Sequence, residues 1–141
     1  MKFWIDCNPP KTTAQAAARI MRKKDGTMFV GKFATGKGKR AQNDLLSMLA
    51  PHAPERPMDG AVTLSIVWRY GWRKSETKRN RARGVIPCNT RPDVDNLCKM
   101  LLDAMTRLSY WHDDGQISKL LIMKQWGDRP GIGIEAGLNE G

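Results

Sequence analysis

Polar and apolar positions alternate most cleanly in "AVTLSIVWRY", where Val62, Leu64, Ile66, Trp68 and Tyr70 fall on one side. A period of two predicts a strand with one buried face. "KFWIDC" predicts a short first strand, stopped by Pro9 and Pro10. In "KRAQNDLLSMLA" the period changes. Ala41, Leu45, Met48 and Leu49 recur at helical spacing, and Pro51 and Pro54 end the run. "VDNLCKMLLDAMTRL" predicts a second helix, with an apolar stripe of Val94, Leu97, Leu101, Ala104, Met105 and Leu108. After it "SYWHDDGQ" reads as a turn, "ISKLLIMKQW" as a largely apolar strand, "GDRPG" as a hairpin turn and "IGIEAG" as a last, glycine-rich strand.

Two stretches resist this reading. In "KTTAQAAARIMRKKDGTMFVGK" the alanines favour helix, while "KKDG" between "ARIM" and "TMFV" favours a hairpin, which is the preferred assignment. Residues 71–92 lose all periodicity and read as a long, flexible basic loop. The order β, hairpin, α, β, α, β, β predicts an α+β domain, a mixed sheet with two main helices packed on it. A length of 141 residues suits one domain, 1–141, with one core.

Charge changes the picture. Lys and Arg number 24 against 14 Asp and Glu, a net charge of +10. Such a surface points to a polyanionic partner, most commonly nucleic acid, although ribosomal and membrane-surface proteins share the balance. More than half of that charge sits in the aperiodic stretch, as Arg73, Lys74, Lys78, Arg79, Arg81, Arg83 and Arg91 against Glu76 alone. A solvated connection is the ordinary account of a charged loop. This concentration of cations favours a DNA track instead. No apolar run reaches the length of a membrane span, and "MKFWIDCNPPK" lacks the apolar core of a signal peptide. Cys7, Cys88 and Cys98 are widely spaced and odd in number, which fits reduced thiols in a cytoplasm rather than disulfides or zinc.

Against this background "RPDVDNLCK" places Asp93 and Asp95 together at the predicted start of the second helix. N-capping and the helix dipole account for such a pair taken alone. The rest of the helix adds Lys99 and Asp103, which continue the i, i+4, i+8 row of Asp95 on the face opposite the apolar stripe. "HDDGQ" then supplies Asp113 and Asp114 just before a strand. A returning strand could bring Asp114 back beside Asp93 and Asp95. Three clustered carboxylates repel unless a cation joins them, and all-oxygen ligands suit Mg²⁺ or Mn²⁺ better than zinc. Carboxylate-held metals of this kind serve phosphoryl chemistry. An acidic pocket inside a basic surface is what a metal nuclease needs.

Other signals are weaker. "GKFATGKG" nearly spells a P-loop, but Gly38 stands where the Mg²⁺-binding Ser or Thr belongs, so a flexible basic loop before the first helix is expected. "DVDN" fails as a calcium loop because Leu97 and Cys98 hold positions that need a ligand and a glycine. His52 and His112 are isolated, and neither is assigned to a metal. Trp68 and Trp126 belong to the core pattern, as do Tyr110 and Trp111 by default, while Trp72 is a candidate for stacking on a base.

"RPDVDNLCKMLLDAMTRLSYWHDDGQI" closely resembles the core of the RusA-type Holliday junction resolvases. Asp93, Asp95, Asn96, Lys99, Asp103, Ala104, Trp111, Asp113, Asp114 and Gln116 match that pattern without gaps, and residues 61–137 match more weakly. The resemblance implies a small α+β homodimer acting as a Mg²⁺-dependent endonuclease. It would make paired, symmetric cuts in four-way DNA junctions. Asp93, Asp95 and Asp114 would bind the metal, with Asp113 as a further candidate. Lys99 would contact the phosphate or assist the leaving group, and Asp103 would be structural. Relatives carried by bacteria, phages and prophages make host repair and phage DNA processing the expected settings. "PPKTTAQAAARI" lacks the arginine-rich character common after the first strand, which bears on substrate preference. A broader branched-DNA or flap nuclease, and a catalytically silent basic DNA-binding protein, are the alternatives. The two-fold symmetry of a four-way junction suits an isologous dimer.

Overall fold

The computed structural model describes residues 1–13, 17–33 and 36–141. Seven strands and three helices follow in the order β1 (Lys2–Asp6), β2 (Ala17–Arg22), β3 (Met28–Phe33), α1 (Gly36–Leu49), β4 (Val62–Gly71), α2 (Lys78–Arg81), β5 (Val85–Pro87), α3 (Val94–Arg107), β6 (Ile117–Gly127) and β7 (Gly131–Leu138). Five strands form one sheet in the order β1-β7-β4-β6-β5, and β2 with β3 forms a separate hairpin. The domain is α+β, as the element order predicts.

β4 is the centre of the sheet, antiparallel to β7 on one side and parallel to β6 on the other. Its alternation is carried into the fold intact. Val62, Leu64, Ile66, Trp68 and Tyr70 are all buried, and they meet Ile5, Ile132, Ile134 and Ala136 from neighbouring strands. Leu45 and Leu49 of α1 and Leu97, Leu101, Ala104 and Met105 of α3 close this core from the helix side. Val94 departs from the expected stripe: it is exposed at the first turn of α3, while Cys98 and Met100 are buried in its place. Tyr110 and Trp111 are core residues, with the Tyr110 hydroxyl donating to the Leu49 carbonyl at 2.6 Å.

Three expectations need correction. "GDRPG" is not a hairpin turn, because β6 and β7 do not pair. The parallel return of β6 leaves β4 between them, so the connection steps across the end of β4. The P-loop-like stretch is not simply a loop before a helix, since Gly31–Phe33 belong to β3 and α1 begins at Gly36. Residues 71–92 are not structureless. Thr77 caps α2 by accepting from the Asn80 backbone N–H at 3.1 Å, and Glu76 accepts from Asn80 and Arg73 at 2.7 and 3.0 Å. β5 then pairs with the end of β6 and buries Ile86. These elements are four and three residues long, too short for any hydrophobic period to register.

The preferred hairpin of "ARIM" and "TMFV" is present, with Ile20 opposite Val30 and Met21 opposite Phe29. Two of the glycines of β7, Gly131 and Gly133, also have a reason. The Trp4 ring lies across that strand. A Cβ at Gly133 would come within 3.0 Å of it, and one at Gly131 within 2.6 Å, with the Ile5 carbonyl oxygen only 2.4 Å away. Gly131→Ala is therefore expected to lower unfolding free energy by about 2 kcal/mol through overpacking against backbone. Gly137→Ala, where nothing lies within 4 Å, should change it far less, with both read from urea unfolding midpoints.

Burial also pushes the Tyr110 phenol up to about 12. A raised folded value favours the neutral phenol. That contribution is fully present below the ordinary phenol value of about 10 and is lost as pH rises towards 12. Tyr110→Phe should flatten this part of the stability-versus-pH curve, measured by denaturant unfolding between pH 9 and 12.

Candidate active site

The start of α3 is fixed from beneath by a lysine. Lys124 stands on β6 between Ile122 and Trp126, opposite the buried Trp68 of β4, on the sheet face that the helices cover. Its ammonium donates to the Thr90 carbonyl and to the Pro92 carbonyl, the latter at 2.7 Å. The Cys88 N–H donates to the Lys124 carbonyl at 3.0 Å. These bonds hold residues 88–92 against β6, and Asp93 follows at once.

Asp93 occupies the N-cap position with extended backbone, and its carbonyl accepts the first helical bond from Leu97 at 3.0 Å. Its carboxylate makes no capping bond. Helix capping therefore does not explain this side chain. Asp95 is exposed in the first turn. Among the described residues neither carboxylate takes part in a hydrogen bond or ion pair. Two bare oxygen donors beside a helix N-terminus, both open to solvent, fit a hard divalent cation. Lys99 is exposed one turn further along α3.

Asp113 and Asp114 lie at the other end of this unit. Asp113 accepts from the Gly115 N–H at 3.1 Å and, with Gln116, forms a reciprocal cap on the turn Asp114–Gln116. The Gln116 amide donates to the Met58 and Gly60 carbonyls, both at 2.9 Å, which fixes this turn near the start of β4. β6 begins at the next residue. From Ile117 to Lys124 the strand runs about 23 Å, close to the roughly 21 Å length of α3. The strand does return alongside the helix, but Asp114 stands where the return begins. Within one chain Asp114 is thus about two nanometres from Asp95. Among the described residues no three His, Cys, Asp or Glu side chains gather closely enough to hold a metal ion. Asp103 ties α3 to α1, receiving the Gln42 amide, and pairs with Arg107 at 3.4 Å.

The seven cations singled out in residues 71–92 are all exposed. Arg73 and Arg81 are organised around Glu76 and α2: Arg73 pairs with Glu76, and the Arg81 guanidinium donates to the Arg73 carbonyl at 3.0 Å. Trp72 donates its indole N–H to Asp128 at 2.6 Å. A cleft of about 670 Å³ between the segment after β1 and helix α1 adds Lys11, Lys37 and Arg40 to the basic surface. His52 stacks on Phe3 at 4.2 Å, and the cysteines are free thiols. No helix among the described residues is long and apolar enough to cross a membrane.

An α+β domain with bare carboxylates at a helix start and cations around it has the make-up of a nucleic-acid enzyme. The family pattern described as Endodeoxyribonuclease RusA matches residues 9–136, and the chain belongs to this family of Holliday junction resolving nucleases. Nucleases of the family are generally divalent-metal dependent. The chain is 32% identical over 88 residues to the uncharacterized protein YqaN of Bacillus subtilis (strain 168), covering 59% of this chain and 61% of that one. It is 48% identical over 46 residues to the crossover junction endodeoxyribonuclease rusA of Lactococcus phage r1t, covering 33% of this chain and 35% of that one. It therefore spans less than two thirds of each of these relatives.

Lys124 escaped the sequence reading, although a signal existed. It interrupts the inward positions of an apolar strand, where an unpaired ammonium would be costly. Lys11 and Arg40 lie in segments whose charge is unremarkable until the fold brings them together. Lys124→Met is expected to lose about 1–3 kcal/mol of stability by stranding two carbonyls. It should also raise amide exchange at residues 88–93 while leaving β4 protected, as read by hydrogen–deuterium exchange.

Proposed function

We propose that this protein is a metal-dependent endodeoxyribonuclease that resolves four-way DNA junctions by paired, symmetric cuts. The observation that carries the proposal is the bare, solvent-open pair Asp93 and Asp95, the first of which makes no capping bond although it stands at the N-cap, inside a surface of net charge +10. A protein that only bound DNA would gain nothing from uncommitted acids facing phosphate.

Asp93 and Asp95 would hold Mg²⁺, or Mn²⁺ in its place, together with Asp114, and Asp113 would lie beside the bound ion. When bound, such a metal activates water and offsets charge on the leaving oxygen. Because Asp114 lies at the far end of the α3–β6 unit, the third carboxylate would come from a second copy. In a two-fold dimer with these units antiparallel, Asp114 of the partner subunit meets Asp93 and Asp95 of the first, and the reverse holds at the second site. Lys99, exposed on the same helix, would meet the phosphate. Arg73, Lys74, Lys78, Arg79, Arg81, Arg83 and Arg91 would track the DNA backbone, giving affinity without reading sequence. Recognition would then rest on the shape of branched DNA. Three free thiols suit a cytoplasmic setting.

The test is cleavage of a synthetic four-way junction beside a linear duplex of matched sequence, in Mg²⁺ and in EDTA. Junction-specific nicks that need the metal are expected. Asp95→Asn should reduce them at least a thousandfold while keeping or tightening junction binding, because a negative charge near phosphate is removed. Equal cutting of the duplex would make the protein a general nuclease, and binding without cutting would make it a silent DNA-binding protein.

The shared site has its own signature. Mixing Asp95→Asn with Asp114→Asn chains should restore nicking to roughly a quarter of wild type, since half of the dimers are mixed and each carries one intact site. Mixing Asp93→Asn with Asp95→Asn should restore none. Equal failure of both mixtures would place the whole site in one chain.

A further inference from the structure

A second cavity, of about 470 Å³, opens beside the start of α3. It lies between the segment after β1, the end of β4 and the residues that lead into Asp93, so Thr90 and Arg91 line it. Its inner wall is aromatic. Tyr70 and Trp126 meet edge to face at 6.0 Å, and Tyr70 is anchored by its hydroxyl, which donates to the Pro10 carbonyl at 2.6 Å. The Arg73 guanidinium lies 4.9 Å from the centre of the Trp126 ring, and Glu76 pins it at 3.0 Å while the side chain stays about half exposed. Lys11 and Arg91 add two more cations to the lining, and no acid lines the cavity.

The size is that of a small-molecule site, for which about 300–1,000 Å³ is usual. A duplex cannot enter. A single nucleotide can. Aromatic rings and a fixed guanidinium plane are what an unstacked base stacks on, and a cationic rim suits the phosphates on either side of it. The lining ends within three residues of Asp93, so an occupant would neighbour the phosphate that Asp93 and Asp95 face. Four-way junctions interrupt base stacking at the crossover, which lowers the cost of drawing one base out of the stack.

The geometry points to a nucleotide subsite: this cavity takes the unpaired base of a nucleotide at the crossover of branched DNA, with Arg73 and Trp126 as its stacking platform and Lys11 and Arg91 on its phosphates. This assignment rests on the nuclease reading for its substrate, and it supplies a contact to a base that the phosphate contacts lack.

The experiment separates the two. Binding of the full protein is measured in EDTA to four-way junctions that each carry one abasic site, at successive positions around the crossover. Loss of the base at one position should weaken binding about tenfold, in line with the stacking contribution of a single base, and at the others by less than twofold. Thr90→Trp, a change at an exposed residue that fills the cavity, should weaken binding to the intact junction about tenfold. It should have no further effect on the junction already abasic at the sensitive position. A uniform response to every abasic position would overturn the subsite. So would effects of Thr90→Trp and the abasic site that multiply. Cleavage of the intact junction in Mg²⁺, scored in parallel, reports on the nuclease reading alone.

Discussion

The parallel pairing of β4 with β6 is the constraint on which the rest depends. Antiparallel neighbours can be joined by a tight turn, but parallel ones need a crossover, and α3 lies within it. Once α3 runs back across the sheet, its start must lie near the end of β6 and its finish near the beginning. That one fact places Asp93 and Asp95 at one end and Asp113 and Asp114 at the other. It also sends the chain over the end of β4 to form β7, and it leaves β5 free to pair on the outer edge of β6 and lead into the site.

Local chemistry then sharpens what topology sets roughly. Lys124 turns an otherwise apolar strand into a clamp for the residues that precede α3. Glu76 does a similar job for the basic segment, where a single nearly enclosed carboxylate gathers Arg73 and Asn80 around a four-residue helix. In both places one charged group of the minority kind in its surroundings organises many neighbours. The basic surface is thereby a built one, with cations at set positions along it.

How much of this could be read from the chain differs by length scale. β4, α1 and α3 were legible because each repeats its period several times, and Leu45, Leu49, Leu97 and Leu101 are buried as their spacing requires. The acids were legible as a motif, because ten fixed positions from Asp93 to Gln116 leave little room for chance. Sheet order was not legible. "GDRPG" carries every mark of a hairpin turn, and nothing local reveals that a third strand lies between the strands it joins. α2 and β5 were illegible for want of length. The cavity beside α3 was illegible for a different reason: Tyr70, Arg73, Thr90 and Trp126 come from three separate stretches, and their proximity exists only after folding.

The wide separation of the acids along the α3–β6 unit has a kinetic consequence. Where the two ends of one chain must be matched by a second chain, a lone folded copy carries every needed group and still lacks a complete centre. Output then rises with the square of concentration while dimers are scarce. On the proposed two-chain site, newly made chains would stay harmless to chromosomal DNA until enough of them accumulate, and the abundance of the protein would be the safety catch on its chemistry.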